Sequence, residues 1–287
     1  MIRRLLGATL TAAAGFALVS AVPAAAAEQS AAPVAVDFAG AVALSNCSGS
    51  VVKTASAAAD DPALVLTNGH CLEEGFPEAG EVIVDQPSTR TFSLLSADGT
   101  GSVGELRANR LEYATMTGTD AALYRLDVSY TQIEQSYGIR ALELAGRPSE
   151  GTAISVVSGY WKKIYSCSVD GFVHELREAD WTWRDSIRYT PECQTIGGTS
   201  GSPIVDAGTG KVVGVNNTGN ESGERCTMNN PCEVDEQGNV TVRQGRNYGQ
   251  QTHQIPACLT AGSRIDLDAA GCALPKPSSL LKTLLKP

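Results

Sequence analysis

The stretch GGTSGSPIV, from Gly197 to Val205, places a serine in a glycine-rich turn directly before an apolar strand. Such turns are common, and this one by itself predicts only a tight reversal of the chain. Serine is a weak nucleophile at neutral pH, and it needs a histidine base that a carboxylate orients. The meaning of Ser200 therefore depends on whether the chain offers a matching histidine and acid.

Three histidines are available, and His70 is the strongest candidate for the base. It lies in ALVLTNGHC, directly after an apolar strand and next to Cys71, where its freedom of movement is restricted. His174, within the strand GFVHEL, and His253, near the end of the strand-rich region, are weaker candidates.

The segment GTDAALYRLDV supplies the candidate acid, Asp120, at the start of an apolar strand. A carboxylate at the mouth of a buried strand is costly unless it is paired, so Asp120 is expected to have a partner. The alternative is an aspartate that caps a turn. Asp127, later in the same strand, is the weaker competitor.

Short segments rich in Val, Ile, Thr and Tyr recur along the chain, among them ALVLTN, EVIVDQ, TAISVVSGY and KVVGVNN. Turn residues bound them, a pattern typical of an all-β sandwich or barrel. The net charge of −9 leaves no basic surface for nucleic acid, so no nucleic-acid partner is expected.

The first 27 residues have the layout of a secretory signal peptide, with Arg3 and Arg4, then an apolar run and a small-residue exit that ends at Ala27. The alternative is a membrane anchor, but Gly15 and Pro23 interrupt the run. No later segment is long and apolar enough to span a bilayer. We therefore expect a secreted, extracellular protein without stable membrane insertion.

Eight cysteines follow the predicted signal, and an even number in an exported chain indicates disulfides. No C-x-x-C pair is present, so neither zinc nor another metal is predicted. The loop EVDEQGNV has the composition of a hairpin tip and lacks the spaced oxygens of a calcium site. No cofactor is expected.

The motifs TNGHC, TDAALYRL and GGTSGSP, in that order, resemble the chymotrypsin-like (trypsin-fold) serine proteases over roughly residues 70–219. The order His, Asp, Ser differs from that of subtilisins and α/β-hydrolases. The resemblance implies two antiparallel six-stranded β-barrels with the active site in the cleft between them. An esterase on another fold is disfavoured by this order and by the absence of βαβ alternation.

The resemblance also assigns roles to individual residues. Ser200 is the nucleophile, His70 is general base and then general acid, and Asp120 orients His70. The backbone N–H groups of Gly198 and Ser200 form the oxyanion hole, where glycine adopts the required torsions at little cost.

The resemblance implies a disulfide between Cys47 and Cys71, beside the candidate histidine. The other six cysteines allow several connectivities. The pairings that we favour are Cys167 with Cys193, Cys226 with Cys232, and Cys258 with Cys272.

Thr199 stands where animal digestive members of the family carry an aspartate that pairs with a freed N-terminus, so activation by N-terminal insertion is not expected. The motif GTSGSP is closer to secreted bacterial members such as glutamyl endopeptidases. Thr195 matches a threonine that those enzymes use, but Asn216 stands where they place a histidine. Without that histidine a substrate carboxylate lacks a cationic partner, which disfavours glutamate preference.

The predicted pocket for the residue before the scissile bond is polar, and no acid lies near Gln194 at its expected base, so preference for lysine or arginine is disfavoured. Its predicted lining is Gln194, Thr195, Asn216, Asn217, Thr218 and Gly219, with the strand near Tyr248 and Gly249.

The predicted organisation is a signal peptide (1–27), an N-terminal barrel (28–140), a C-terminal barrel (141–272) and a proline-containing amphipathic tail (273–287). The expected partner is a peptide or protein substrate, and the expected state is a monomer. The alternative function is a non-catalytic secreted binding protein on the same fold. The presence of all three triad residue types argues against it.

Overall fold

The computed structural model describes residues 34–278, and these are mostly β-strand. The predicted signal peptide and the LLKTLLK part of the tail lie outside the described residues. The strands, numbered along the chain, are β1 (Ala41–Ala43), β2 (Ser48–Lys53), β3 (Pro62–Thr67), β4 (Val82–Pro87), β5 (Thr91–Leu95), β6 (Ser102–Thr115), β7 (Ala121–Ser129), β8 (Leu142–Glu143), β9 (Ala153–Ser158), β10 (Lys163–Glu178), β11 (Trp181–Tyr189), β12 (Pro203–Asp206), β13 (Val212–Gly219), β14 (Cys232–Val234), β15 (Val240–Val242), β16 (Asn247–Gln251), β17 (Leu259–Thr260) and β18 (Arg264–Ile265).

The strands form two rings. In the first sheet β1, β5, β6, β7, β3 and β2 pair in that order, and pairing of β1 with β2 closes the ring. In the second sheet β11, β16, β13, β12, β9 and β10 do the same, closed by β10 and β11. The remaining strands extend these rings or form a small separate pair. The prediction of two six-stranded barrels is confirmed, with the addition that β8 runs parallel to β2.

Strand β3 shows why some segments are apolar at almost every position. Successive side chains of a strand point to opposite faces. Ala63 and Val65 pack inside the first barrel, whereas Leu64 and Leu66 belong to a second core cluster. That second cluster also contains side chains of the second sheet, among them Val157 and Val215. Strand β3 is therefore buried on both faces, and the second cluster joins the two barrels along a seam.

One element was not predicted, the helix α1 (Tyr130–Tyr137). Ser129 and Gln132 form a reciprocal capping box at its start, and Gly138 ends it in the left-handed conformation with φ of 69°. The S-x-x-Q pattern was the available signal.

The first residues of the predicted tail pack against the barrels. The Leu274 side chain is buried in the seam cluster, and the Tyr113 hydroxyl donates a hydrogen bond to the Pro275 carbonyl over 3.1 Å. The Cys258–Cys272 disulfide anchors the chain just before this point.

The seam cluster predicts a large stability effect for Leu66→Ala. Leu66 is fully buried, and its truncation leaves a cavity between the barrels, so we expect the free energy of unfolding to fall by roughly 2–5 kcal/mol. Val103→Ala, at an exposed position of β6, is the control and should change it by less than about 0.5 kcal/mol. Guanidinium denaturation of the disulfide-intact proteins measures both. Equal decreases in the free energy of unfolding of Leu66→Ala and Val103→Ala would contradict the assignment of Leu66 to a core shared by the two barrels.

Candidate active site

His70 lies in a single 3-10 turn, Gly69–Cys71, that follows directly after β3. The Cys47–Cys71 disulfide ties this turn to the residue before β2. The His70 imidazole is mostly buried, and its Nδ1 lies 2.7 Å from Oδ2 of Asp120. The histidine is thus held by a covalent link on one side and a carboxylate on the other.

Asp120 has no exposed surface and lies immediately before β7. Its Oδ1 accepts a second hydrogen bond, from the His70 backbone N–H over 3.2 Å. The Asn68 side-chain amide donates to the Asp120 carbonyl over 2.8 Å. Both carboxylate oxygens therefore face His70, which compensates the burial of the charge.

The pKa of His70 is raised above its ordinary value of 6.5. Burial of the ring acts in the opposite direction and is the largest single influence. It is outweighed by the negative charge and hydrogen bond of Asp120, together with the charge of Glu178. The site therefore favours the imidazolium, the form that a general base creates when it accepts a proton.

Ser200 lies in the turn that leads into β12, and this turn is docked on the first barrel. The Ser48 N–H donates to the Ser200 carbonyl over 2.8 Å. A Cβ atom at Gly201 would lie 2.1 Å from the Ser48 carbonyl oxygen, so only glycine fits there. The Ser200 hydroxyl donates to the Asn217 carbonyl over 3.3 Å.

His70 and Ser200 line the same cleft. Within residues 34–278 no hydrogen bond joins the two side chains. Catalytic hydrogen bonds are often long without substrate and tighten when it binds.

Gly198 and Ser200 present the N–H groups that the resemblance assigns to an oxyanion hole. Gly198 has φ of 86°, a left-handed conformation that glycine adopts readily. Neither N–H donates a hydrogen bond within the described part of the chain. Both backbone N–H groups therefore lack a hydrogen-bond partner within residues 34–278.

The structure brings most of the residues of the predicted pocket to the cleft. Thr195, Asn216, Asn217, Thr218 and Gly219 line it. Gln194 does not, because its exposed side chain folds back to donate to the Pro191 carbonyl. Tyr248 and Gly249 are buried and do not line the cleft.

Asn247 reaches the cleft in place of Tyr248 and Gly249. Its Oδ1 accepts from the Thr195 hydroxyl over 2.8 Å, and its Nδ2 donates to the Cys193 carbonyl over 3.0 Å. Because Asn247 pairs with Gly219 across the strands, its side chain can lie directly against that glycine. Seven further residues that sequence reasoning missed also line the cleft: Phe76, Met116, Glu178, Trp183, Glu221, Met228 and Asn229.

Thr199 is buried and satisfied by neutral partners. Its carbonyl and hydroxyl both accept from the Asn216 side-chain amide, each over 3.1 Å, and the Asn216 oxygen accepts from the Tyr189 hydroxyl over 3.2 Å. Thr199, Asn216 and Tyr189 therefore form an uncharged hydrogen-bond network.

The competing candidate residues lie elsewhere. His174 and Asp127 are exposed on β10 and β7, and His253 lies outside the cleft lining.

Cys47, His70 and Cys71 place three potential metal-ligand atoms within 4.8 Å of one another, but the disulfide leaves neither cysteine a thiolate. In EVDEQGNV, both Asp235 oxygens accept from Asn239, which closes a hairpin turn.

All eight cysteines are paired in the structure. The disulfides are Cys47–Cys71, Cys167–Cys193, Cys226–Cys232 and Cys258–Cys272, the pairings that the sequence favoured. Among residues 34–278, no helix has the length and apolar character needed to cross a membrane.

Sequence comparison decides the family. The model of the trypsin-like peptidase domain matches residues 47–215, more than half of the chain. The chain belongs to the trypsin-like peptidase family. It is therefore a serine endopeptidase. No curated protein is significantly similar to it in sequence.

Several solved structures are similar to this peptidase. The MamO protease domain from Magnetospirillum magneticum is 13% identical, with 78% of this chain and 98% of that chain covered and a TM-score of 0.48. Nocardiopsis protease is 15% identical (75% and 92% covered, TM-score 0.42). Protease Anisep from Arthrobacter nicotinovorans is 18% identical (76% and 92% covered, TM-score 0.42). The family assignment rests on the sequence match.

Glu178, at the end of β10, adds a buried carboxylate to the cleft of this peptidase. Its Oε2 accepts from the Thr218 hydroxyl over 2.6 Å and its Oε1 from the Asn229 N–H over 2.9 Å. Burial raises the pKa of Glu178, and these hydrogen bonds offset part of the rise. The available sequence signal was its spacing of two from Leu176, which places both side chains on the inward face.

This arrangement predicts that Glu178→Gln lowers the pKa of His70, because the Glu178 charge favours the imidazolium. We expect His70 in the parent to titrate above pH 6.5, and at a lower pH in the variant. NMR titration of the three histidines measures this directly. Glu175→Gln, on the same strand but paired with Arg177 and Arg184, is the control and should leave His70 unchanged. An unmoved His70 in Glu178→Gln would contradict the coupling.

Proposed function

We propose that this serine endopeptidase is an exported enzyme that cleaves polypeptides through His70, Asp120 and Ser200. The observation that carries the proposal is the 2.7 Å contact between His70 Nδ1 and a fully buried Asp120, in the same cleft as Ser200. A buried carboxylate fixes the imidazole with Nδ1 protonated, so Nε2 is the atom left free to accept a proton.

The reaction then follows in two halves. Ser200 Oγ attacks the scissile carbonyl carbon while His70 Nε2 accepts the hydroxyl proton, and the carbonyl oxygen becomes an oxyanion. The tetrahedral intermediate collapses as His70 gives that proton to the leaving amine, which leaves an acyl group on Ser200. Water, deprotonated by His70, attacks the acyl carbonyl carbon. The second tetrahedral intermediate collapses as His70 returns the proton to Ser200 Oγ, which releases the acid product and restores the enzyme.

The free N–H groups of Gly198 and Ser200 support an oxyanion hole. Donors that are already oriented stabilise the charge that develops in the transition state, and each is worth about 3–4 kcal/mol in related sites. Because the backbone holds both donors, no side chain has to be ordered during the reaction.

Thr195, Asn247 and Gly219 support a short, polar pocket for the residue before the scissile bond. The Asn247 side chain occupies space beside Gly219 that an alanine or glycine would leave open. We therefore propose a preference for small or polar residues there. Among the described residues no lysine or arginine lines the cleft, whereas Glu178 and Glu221 do, so a substrate glutamate would meet like charge.

The rim of the cleft supports a polypeptide substrate. Phe76, Ile196 and Met228 line it and are about half exposed. Exposed apolar groups gathered at one cleft are typical of a surface that a partner covers.

Two further features concern maturation. The neutral partners of Thr199 support activity without insertion of a new N-terminus. Four disulfides and the signal-like first 27 residues support export to an oxidising compartment, where we propose that the enzyme acts as a monomer.

A peptide library tests the proposal. The parent protein should cut peptides after small or polar residues, and Ser200→Ala should reduce turnover by roughly 10⁶-fold because it removes the nucleophile. Mass spectrometry of the cut sites gives both rate and preference. Parent and variant with equal cleavage would exclude Ser200 as the nucleophile. A folded parent that binds peptides without cutting them would favour the non-catalytic binding protein.

The pocket assignment predicts that Asn247→Gly shifts cleavage toward larger residues, because it removes the carboxamide that shortens the pocket. The same library measures the shift. Asn239→Gly, at a hairpin tip outside the cleft lining, is the control and should leave the profile unchanged. An unaltered profile in Asn247→Gly would place the specificity pocket elsewhere.

A further inference from the structure

Residues 158–161, at the end of β9 and in the turn that leads to β10, lie against residues 197–200, which we call the oxyanion loop. The Trp161 indole Nε1 donates a hydrogen bond of 2.7 Å to the carbonyl of Gly197. The Trp161 ring is about half exposed, so the hydrophobic core does not account for its position. The ring of Tyr160 packs edge to face against it with centroids 5.0 Å apart.

A second contact holds the next carbonyl. The Ser48 hydroxyl donates to the Gly198 carbonyl over 3.1 Å. Ser48 Oγ in turn accepts from the Tyr160 N–H over 3.1 Å. Ser158 Oγ lies 3.1 Å from Ser48 Oγ and accepts from the Trp161 N–H over 3.3 Å. Residues 158–161 therefore contact Gly197 directly and Gly198 through Ser48.

The bond to Gly197 determines where the Gly198 N–H points. A trans peptide places its C=O and N–H on opposite sides of one rigid plane, and the described chain contains no cis peptide. The plane between Gly197 and Gly198 has glycine at both ends, so its rotation meets little steric resistance. A half turn of that plane would remove the Gly198 N–H from the oxyanion hole and direct the Gly197 carbonyl toward it.

We infer that Trp161 is a positioning residue that keeps the Gly198 N–H directed into the oxyanion hole. Trp161 does not line the cleft that holds His70 and Ser200, and it acts through the Gly197–Gly198 peptide. This inference rests on the proposed triad mechanism. It adds that the Gly197–Gly198 peptide must be held in one orientation, which the triad residues do not do.

The test is Trp161→Phe, which keeps an aromatic ring and removes only the N–H donor. We expect kcat to fall by roughly tenfold or more, less than the loss of about 10²–10³-fold that follows deletion of an oxyanion donor. KM should stay within about twofold, because the donor acts on the transition state rather than on bound substrate. A peptide boronic acid, whose tetrahedral adduct places an oxygen in the hole, should bind more weakly by a similar factor.

Trp181→Phe is the matched control. Its indole also donates to a backbone carbonyl, that of Pro77 over 2.9 Å, but this carbonyl is not part of the oxyanion loop. We expect its kcat and boronate affinity to match the parent. Circular dichroism and thermal unfolding establish that both variants are folded.

The outcomes separate the two proposals. An active parent, an inactive Ser200→Ala and a Trp161→Phe enzyme with unchanged kcat would overturn the role of Trp161 and leave the triad intact. A rise in KM with constant kcat would also overturn it, because the indole would then serve substrate binding. A parent no more active than Ser200→Ala would overturn both, since no oxyanion hole would be in use.

Discussion

The buried carboxylate of Asp120 is the constraint on which the catalytic centre depends. A charge without exposed surface is costly unless nearby donors compensate it, and here both donors belong to His70. Their meeting requires the antiparallel pairing of β3 with β7, in which Thr67 lies opposite Ala122. That register brings the end of β3 and the start of β7 to the same edge of the barrel. A slip of one residue would turn the flanking side chains to the other face.

The same edge receives the nucleophile from the second barrel. The Ser200 carbonyl accepts from the Ser48 N–H, and Gly201 packs against Ser48 and Thr67, so the nucleophile loop is fitted to β2 and β3. Beneath this contact the seam cluster joins the two sheets with side chains such as Leu66 and Val215. The hydrophobic seam thus holds the two barrels together, and the close contacts of the nucleophile loop with β2 and β3 align Ser200 with the first barrel.

Two networks of neutral hydrogen bonds support the cleft. Thr199 and Asn216 form an uncharged network behind Ser200, and Asn247 with Thr195 forms another within the pocket. The buried charges that remain near the centre, Asp120 and Glu178, are both acidic and both favour the protonated form of His70. The electrostatics of the site therefore promote proton acceptance by the histidine and provide no lysine or arginine, among the described residues, for an acidic substrate side chain.

The sequence by itself determined the β-class. The two six-stranded barrels followed from the resemblance of its motifs to the trypsin-fold proteases, and the cysteine pairing found in the structure was the favoured one among several connectivities that the sequence allowed. Strand periodicity and turn residues are local properties, and the motifs around His70, Asp120 and Ser200 lie within short segments whose order is readable.

The contacts between distant segments, in contrast, could be seen only in the tertiary structure. Asn247 enters the cleft because β13 and β16 pair with Asn247 opposite Gly219, and Gln194 leaves it because its side chain folds back on Pro191. The indole of Trp161 meets the Gly197 carbonyl 36 residues along the chain, a contact that no local pattern encodes. Such contacts depend on how two barrels pack, and packing is decided by the whole surface of each rather than by any one segment.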